Sequence, residues 1–228
     1  MKARIKQAIP TAMLNAALLR FPALYRTAVV DYETNLRQLG GVDELLGQLD
    51  FAVQVAGAVV ECGASRCGTS VLMAKHLQEL GERRRILACD SFEGFDREEL
   101  RRERDAGLTA DRDDAYTSTS LDYVVAKLNR LGVADVVMPV KGYFEESLPN
   151  LEGPFCMAFI DCDLRDSLAY CAHALWGRVS PGGRLVFDDY TSDDFKGARL
   201  GVDQVVRDFG GEIADHGLLK RLYYVVKA

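Results

Sequence analysis

Residues 57–81, GAVVECGASRCGTSVLMAKHLQELG, decide the fold. The stretch begins with a short apolar run that ends near Glu61, passes through a glycine-containing turn, and continues with the apolar spacing of an amphipathic helix. Thr69 or Ser70 is a suitable helix cap, and Gly81 is a suitable helix stop. The stretch therefore predicts a strand, a tight turn and a helix in direct succession.

The same alternation continues to the end of the printed sequence. Apolar runs typical of strands follow in RILACD (85–90), DVVMPVKG (135–142), FCMAFIDCD (155–163), RLVFDDY (184–190) and LLKRLYYVVKA (218–228). Segments with helical periodicity separate most of them, which predicts βαβ units and a mainly parallel sheet. Residues 1–50 have helical spacing throughout, so we predict an N-terminal helical extension or lid (1–50) ahead of the main domain (51–228).

Composition narrows the class of protein. The 228 residues are 48% hydrophobic and 27% charged, which suits one α/β domain with a small appendage. The net charge of -6 argues against a nucleic-acid partner, and no apolar stretch reaches the length of a membrane span. None of the six cysteines forms a C-x-x-C pair, so we predict buried, reduced thiols in a cytoplasmic protein.

Acidic residues stand at the ends of the predicted strands. In an open parallel sheet, ligands bind beyond the carboxyl ends of the strands, so the residues there are the candidates for binding. They are Glu61, Asp90, Gly142, Asp161, Asp163, Asp188 and Asp189. A rim composed almost entirely of carboxylates predicts a ligand site on this side of the sheet.

The first turn bears on the kind of cofactor. Gly63 and Gly68 have the spacing G-x-x-x-x-G, which lacks the middle glycine of a dinucleotide-binding turn and the lysine of a P-loop. Glu61 at the strand end better suits a ligand with a positive ammonium or sulfonium group. Asp90, 29 residues later, stands where nucleoside-binding α/β proteins place a carboxylate for the ribose hydroxyls. An NAD-dependent oxidoreductase is the less favoured alternative.

Two adjacent aspartates follow the fifth strand, in FDDYTSDDFKGAR (187–199). Asp188 and Asp189 repel each other and lose hydration where they are partly buried, so they are either solvated in a loop or neutralised by a cation. Asp161 and Asp163 end the neighbouring strand and would join them. Ligands that offer only oxygen suit hard cations such as Mg²⁺.

Five motifs occur in the order expected of one family: VVECGASRCGTSVLMAKHL, CDSFEGF, VKGYFEESLP, FIDCDLRDSL and SPGGRLVFDDYTSDDFKGAR. Together, from about residue 58 to 209, they resemble the macrocin O-methyltransferase family. These are class I S-adenosylmethionine- and Mg²⁺-dependent enzymes that methylate sugar hydroxyls of natural products. The resemblance implies a Rossmann-like α/β fold, with a mainly parallel seven-stranded sheet and helices on both faces.

The resemblance also implies a role for individual residues. In this family pattern, Asp90 binds the ribose of S-adenosylmethionine and residues 142–144 lie near the adenine. The full set of residues implied to bind S-adenosylmethionine is Glu61, Gly63, Gly68, Ser70, Asp90, Ser91, Phe92, Gly142, Tyr143, Phe144 and Asp161. The implied metal ligands are Asp161, Asp188 and Asp189, and the implied general base is Asp163. The implied partner is a small-molecule hydroxyl acceptor, a sugar or another vicinal diol, and a homodimer is left open. A methyltransferase-like binding protein without catalysis is the remaining alternative.

Four features depart from the family pattern or lie outside it. Residues 96–114 are almost all polar, which is typical of either a solvated helix face with a loop or a lid over a ligand. Arg165 stands where the family usually has tyrosine, and KRLYYVVKA replaces a tryptophan-containing terminal strand. His216 lies near the carboxyl-terminal part of the sheet, and its participation in the site is left open.

Overall fold

The computed structural model describes residues 41–228 and, ahead of them, Met13, Ala16 and Arg20. Helices and strands alternate along the described chain. In order they are α1 Val42–Ala52, β1 Ala58–Cys62, α2 Gly68–Glu79, β2 Ile86–Asp90, α3 Arg97–Asp105, α4 Leu121–Leu131, β3 Val137–Lys141, α5 Phe144–Ser147, β4 Phe155–Ile160, α6 Arg165–Trp176, β5 Val179–Phe187, α7 Lys196–Phe209, β6 Ile213–Leu218 and β7 Tyr223–Lys227.

The strands form one seven-stranded sheet in the order β3-β2-β1-β4-β5-β7-β6. The first five strands run parallel, and β7 pairs antiparallel with both β5 and β6. The predicted mainly parallel, seven-stranded, Rossmann-like sheet is thereby confirmed. The strand order reverses between β1 and β4, and a reversal of this kind opens a crevice at the carboxyl ends of the strands.

Helices cover both faces of the sheet, as expected. Alternate residues of a strand point to opposite faces, so neighbours in β1 enter different cores. Val59 packs in a cluster with side chains of α1, α2 and α4. Val60 packs in a second cluster with side chains of α6 and α7. This double cover explains why β1 and β4 are buried along almost their whole length.

The first described helix, α1, is part of the first core. Leu45, Leu49 and Ala52 are buried there, and Arg184 of β5 donates a 2.6 Å hydrogen bond to the Gln48 side chain. The domain boundary expected between residues 50 and 51 falls inside this helix. Within the expected extension (1–50), residues 1–40 lie outside the described residues, with the exception of three positions.

Two local expectations from the sequence differ from the structure. The expected Thr or Ser cap of α2 is wrong, because Cys67 is the residue before the helix and neither Thr69 nor Ser70 caps it. The apolar pattern also missed β6, an edge strand whose side chains are mostly exposed. A strand without a buried face has no alternation of apolar and polar residues to reveal it.

All six cysteines are free and buried, as predicted. Among the residues that the structure describes, no helix is both long enough and apolar enough to cross a membrane.

Candidate active site

A cavity of about 1320 Å³ opens beyond the carboxyl ends of the central strands. Most of the predicted site residues line it. They are Glu61, Gly63, Asp90, Ser91, Gly142, Tyr143, Phe144, Asp161, Asp163, Asp188 and Asp189. Gly68, Ser70 and Phe92 were also predicted, but they do not line the cavity and lie behind its wall.

Glu61 is fully buried at the end of β1, although it lines the cavity. The Ser70 hydroxyl, from the first turn of α2, donates a short hydrogen bond to the Glu61 carboxylate. The pKa of Glu61 is raised to about 8: burial is the main cause, the Ser70 hydrogen bond opposes the rise, and the nearby charge of Asp90 adds to it. A buried carboxylate of this kind gains most from a cationic ligand, because such a ligand offsets the cost of its charged form.

Asp90, at the end of β2, is held in place by two backbone N–H groups. Ser65 N–H donates to its Oδ2 at 2.8 Å, and Phe92 N–H donates to its Oδ1 at 2.6 Å. Burial raises the pKa of this carboxyl, and the two N–H groups oppose the rise. Each carboxylate oxygen still has a lone pair for a ligand hydroxyl, since a carboxylate can accept about four hydrogen bonds.

The turn after β3 closes the same side of the cavity. Gly142 has φ +147 and donates its N–H to the Asp90 carbonyl at 3.1 Å. Only glycine adopts this backbone angle easily, so the turn can lie directly against the end of β2. Tyr143 then precedes the short helix α5, and its side chain is half-exposed at the rim of the cavity.

Three carboxylates converge on the opposite side of the cavity. One ligand oxygen from each of Asp161, Asp163 and Asp189 lies within 4.8 Å of the others. Asp163 and Asp189 both adopt left-handed backbone, with φ of 62 and 58. Strained residues of this kind concentrate at functional sites, where the rest of the structure enforces them.

The electrostatics of this cluster are unfavourable in the absence of a cation. Burial raises the pKa of Asp161 well above its usual range, and the charges of Asp188 and Asp189 add to the effect. Burial and the charge of Asp189 do the same to the pKa of Asp163. Three close carboxylates with oxygen-only donors are a set that fits a small hard cation.

Asp188 lies outside the three-carboxylate cluster, and both of its carboxylate oxygens face Arg221, which also contacts Asp189. Arg221 Nε lies 2.6 Å from Asp188 Oδ1, and Arg221 Nη2 lies 3.0 Å from Asp188 Oδ2. Burial and the charge of Asp189 raise the pKa of Asp188 to about 6, although Arg221 opposes the rise. The structure thus brings Asp161, Asp163 and Asp189 together, while the Asp188 carboxylate faces Arg221.

The polar segment 96–114 contains a helix that covers part of the cavity. Asp96 caps α3 by accepting N–H bonds from Glu98 and Glu99. On the other side of α3, Glu99 accepts a 2.9 Å bond from Ser167 N–H and Glu103 accepts a 3.1 Å bond from Arg165 N–H. These two carboxylates satisfy N–H groups in the first turn of α6, which have no partner within their own helix.

Sequence reasoning missed several residues that line or support the site. Glu99, Tyr116 and Arg221 line the cavity, and the charge of Asp163 is the main cause that raises the pKa of Tyr116. The sequence held no local signal for Arg221, because it reaches the site through the antiparallel register that pairs Phe187 with Tyr223 and so brings Arg221 near Asp189.

Arg165 and His216, the two residues with open roles, lie outside the cavity lining. The Arg165 side chain reaches Gln204 of α7 at 3.4 Å. His216 is on β6, and its Nδ1 lies 2.6 Å from the Tyr223 hydroxyl. Neither side chain therefore contacts the cavity in this structure.

Comparison with known proteins identifies the family. The family model described as Macrocin-O-methyltransferase (TylF) matches residues 37–210. An 8-demethyl-8-(2,3-dimethoxy-alpha-L-rhamnosyl)-tetracenomycin-C 4'-O-methyltransferase from Streptomyces olivaceus is 30% identical over an alignment of 172 residues, and the match covers 69% of this chain. The match spans 64% of that relative's own length.

Solved structures show the same fold. The O-methyltransferase NovP superposes with a TM-score of 0.69 and 22% identity, over 84% of this chain and 79% of that chain. CalS11, a calicheamicin methyltransferase, superposes with a TM-score of 0.66 and 19% identity, over 95% of this chain and 91% of that chain. The structural likeness supports the methyltransferase fold, and the sequence match over residues 37–210 goes further: this chain belongs to the macrocin O-methyltransferase (TylF) family.

Proposed function

We propose that the protein is an S-adenosylmethionine- and Mg²⁺-dependent O-methyltransferase that acts on a hydroxyl group of a small molecule. One observation carries the proposal. The acids suited to a nucleoside with a cationic tail, Glu61 and Asp90, and the cluster of Asp161, Asp163 and Asp189 line the same cavity. A methyl donor and a hydroxyl acceptor could therefore meet inside it.

The cofactor side of the cavity would orient the methyl donor. S-adenosylmethionine supplies a methyl group on a positively charged sulfonium, so the transfer needs little covalent help from the protein. Glu61 suits the ammonium group of such a ligand, and Asp90 can accept hydrogen bonds from the ribose hydroxyls. The turn at 142–144 would lie beside the adenine.

The acidic side of the cavity would hold the metal. Asp161 and Asp189 are common to the predicted ligand set and to the three oxygens that converge. Asp188 is the third ligand implied by the family resemblance, and it would exchange part of its contact with Arg221 for the ion. When bound, Mg²⁺ supplies positive charge beside the acceptor, and such charge makes a hydroxyl more acidic.

Asp163 is the group that we propose as the general base. It lies three residues after the end of β4, and its carboxylate lies within the cluster that faces the cavity. Burial and the charge of Asp189 raise its pKa, and a base whose pKa is nearer to the working pH accepts a proton more effectively. Asp163 would take the proton from the acceptor hydroxyl as the oxygen receives the methyl group.

The acceptor that we propose is a sugar with vicinal hydroxyls. The relative from Streptomyces olivaceus is named for a rhamnosyl compound, which supports a glycoside. The cavity of about 1320 Å³ exceeds the roughly 300–1,000 Å³ of a usual single-ligand pocket, which leaves room for a donor and a glycoside together. Because all six cysteines are free and buried, we propose the cytoplasm as the compartment.

A screen for methyl transfer tests this function. Labelled S-adenosylmethionine would be incubated with rhamnosyl and other glycosides, with catechols, and with matched acceptors that lack one of the two hydroxyls. We expect label in a vicinal diol and none in its deoxy analogue. In the Asp163→Asn variant, turnover should fall by roughly 10²–10⁴, the usual contribution of a general base. Label transfer at an unchanged rate in that variant would remove Asp163 from the mechanism.

A further inference from the structure

Arg221 lies between the acid rim and the last two strands. Its guanidinium contacts both oxygens of Asp188, at 2.6 and 3.0 Å, and Oδ1 of Asp189 at 2.9 Å. All three side chains are largely buried, with at most 13% of any one exposed. The adjacent aspartates therefore already have a cation beside them, and it belongs to the protein.

A separate contact holds Arg221 in this position. The Glu44 carboxylate of α1 accepts backbone N–H bonds from Lys220, Arg221 and Leu222, at 2.9, 3.1 and 3.1 Å. One carboxylate thus fixes the whole turn between β6 and β7. The guanidinium is set against the acid pair by its own backbone, and α1 determines where that backbone lies.

We propose that Arg221 is a positioning residue that acts as the built-in counter-ion of Asp188 and Asp189 and competes with a divalent cation for these two carboxylates. The inference rests on the Mg²⁺ site proposed above. Without metal, the guanidinium offsets the repulsion between the two aspartates. Arg221 would lower the negative potential that binds a cation, because two positive charges that share the same buried carboxylates repel each other.

Loss of the Arg221 charge has two opposite consequences under this proposal. In the metal-free protein, Arg221→Gln leaves Asp188 and Asp189 buried without their partner, so the melting temperature should fall by roughly 5–15 °C. The same change removes a positive charge from the cation site, so the dissociation constant for Mg²⁺ should fall by about tenfold or more. Loss of a residue that only supported the fold would lower the stability without tightening the binding of Mg²⁺.

The experiment measures both quantities on the full chain without acceptor. Calorimetric titration with MgCl₂ gives the dissociation constant, and thermal unfolding in chelator and in Mg²⁺ gives the stability of each state. The control is Arg184→Gln, since Arg184 binds Gln48 at 2.6 Å and does not line the cavity. It should lower the melting temperature and leave the Mg²⁺ affinity unchanged.

A second variant tests the competition without altering the acids or Arg221. Glu44→Ala removes the acceptor that fixes the 220–222 turn, so Arg221 should hold the aspartates less firmly and Mg²⁺ should bind more tightly. Unchanged or weaker Mg²⁺ binding in Arg221→Gln, or in Glu44→Ala if the first variant does not fold, would overturn the inference. If neither the unchanged protein nor any folded variant binds Mg²⁺, the proposed metal site fails and the inference fails with it.

Discussion

The backbone of Gly63 lies directly against the backbone of Asp161. A Cβ atom on Gly63 would overlap the Asp161 carbonyl oxygen, and Gly63 has φ +88, a conformation that side chains disfavour. This contact joins the proposed cofactor turn after β1 to the acid cluster after β4. The two halves of the site are therefore in direct backbone contact, so we expect a change in the first to disturb the second.

Gly63→Ala should damage both functions of the cavity. We expect the free energy of unfolding to fall by about 2–4 kcal/mol, from backbone strain and from the overlap with Asp161. Binding of both S-adenosylmethionine and Mg²⁺ should weaken, as measured by calorimetry. Gly81→Ala is the matched control, because Gly81 has φ +74 but nothing within 4 Å of its added Cβ. Loss of one ligand alone in Gly63→Ala would contradict the coupling.

Asp90→Ala should weaken S-adenosylmethionine binding by about 1–3 kcal/mol, the range for a charged hydrogen-bond partner that is removed. The variant loses an acceptor for the ribose, and it also frees the Ser65 and Phe92 N–H groups that the carboxylate holds. Asp135→Ala is the control, since Asp135 pairs with Arg83 on the surface. Equal affinity in the Asp90 variant and the unchanged protein would exclude Asp90 from the cofactor site.

The buried Glu61 predicts a pH dependence of stability in the ligand-free protein. Its folded pKa of about 8 is above the usual value of 4.5, so the native state favours the protonated form. The stabilisation it contributes is fully present below about pH 4.5 and is lost as the pH rises through about 8. Glu61→Gln stays neutral, so its stability relative to the unchanged protein should grow between about pH 4.5 and pH 8 and level off above that range. Chemical denaturation across that range checks this, and a constant difference would refute it.

The helix α3 should open more readily than the sheet when no acceptor is bound. Its face is mostly charged, and much of its attachment depends on Leu100 and on the bonds from Glu99 and Glu103 to the start of α6. Hydrogen exchange at 97–105 should be faster than in β1, and Glu99→Ala should accelerate it further. Glu98→Ala, at an exposed position, is the control. Exchange in α3 as slow as in β1 would rule out a lid.

The sequence allowed the sheet and most of the cavity lining to be predicted, for a physical reason. Parallel strands end at one edge, so Asp90, Asp161 and Asp188 could be placed together from their positions after apolar runs. An apolar run can be recognised from neighbouring residues in the sequence, without knowledge of distant contacts. The family resemblance placed Ser70 at the site, although its hydroxyl bonds to Glu61 from behind the cavity wall.

The features that were missed depend on distant parts of the chain. Arg221 reaches Asp188 only through the antiparallel pairing of β5 with β7, which apolar spacing does not reveal. The polar pattern of 96–114 hid the burial of Glu99, because a carboxylate that caps another helix has the same sequence appearance as a solvated one. The edge strand β6 lacked a buried face to give it a pattern.

The dependence of methyl transfer on Mg²⁺ tests the central claim most directly. Transfer of label from S-adenosylmethionine to the best acceptor would be measured in Mg²⁺ and in excess chelator, with cofactor binding measured in parallel by calorimetry. Because Asp161, Asp163 and Asp189 form a cluster that fits a hard cation, we predict that the chelator abolishes transfer, that added Mg²⁺ restores it, and that S-adenosylmethionine still binds without metal. Full transfer in excess chelator would contradict the account.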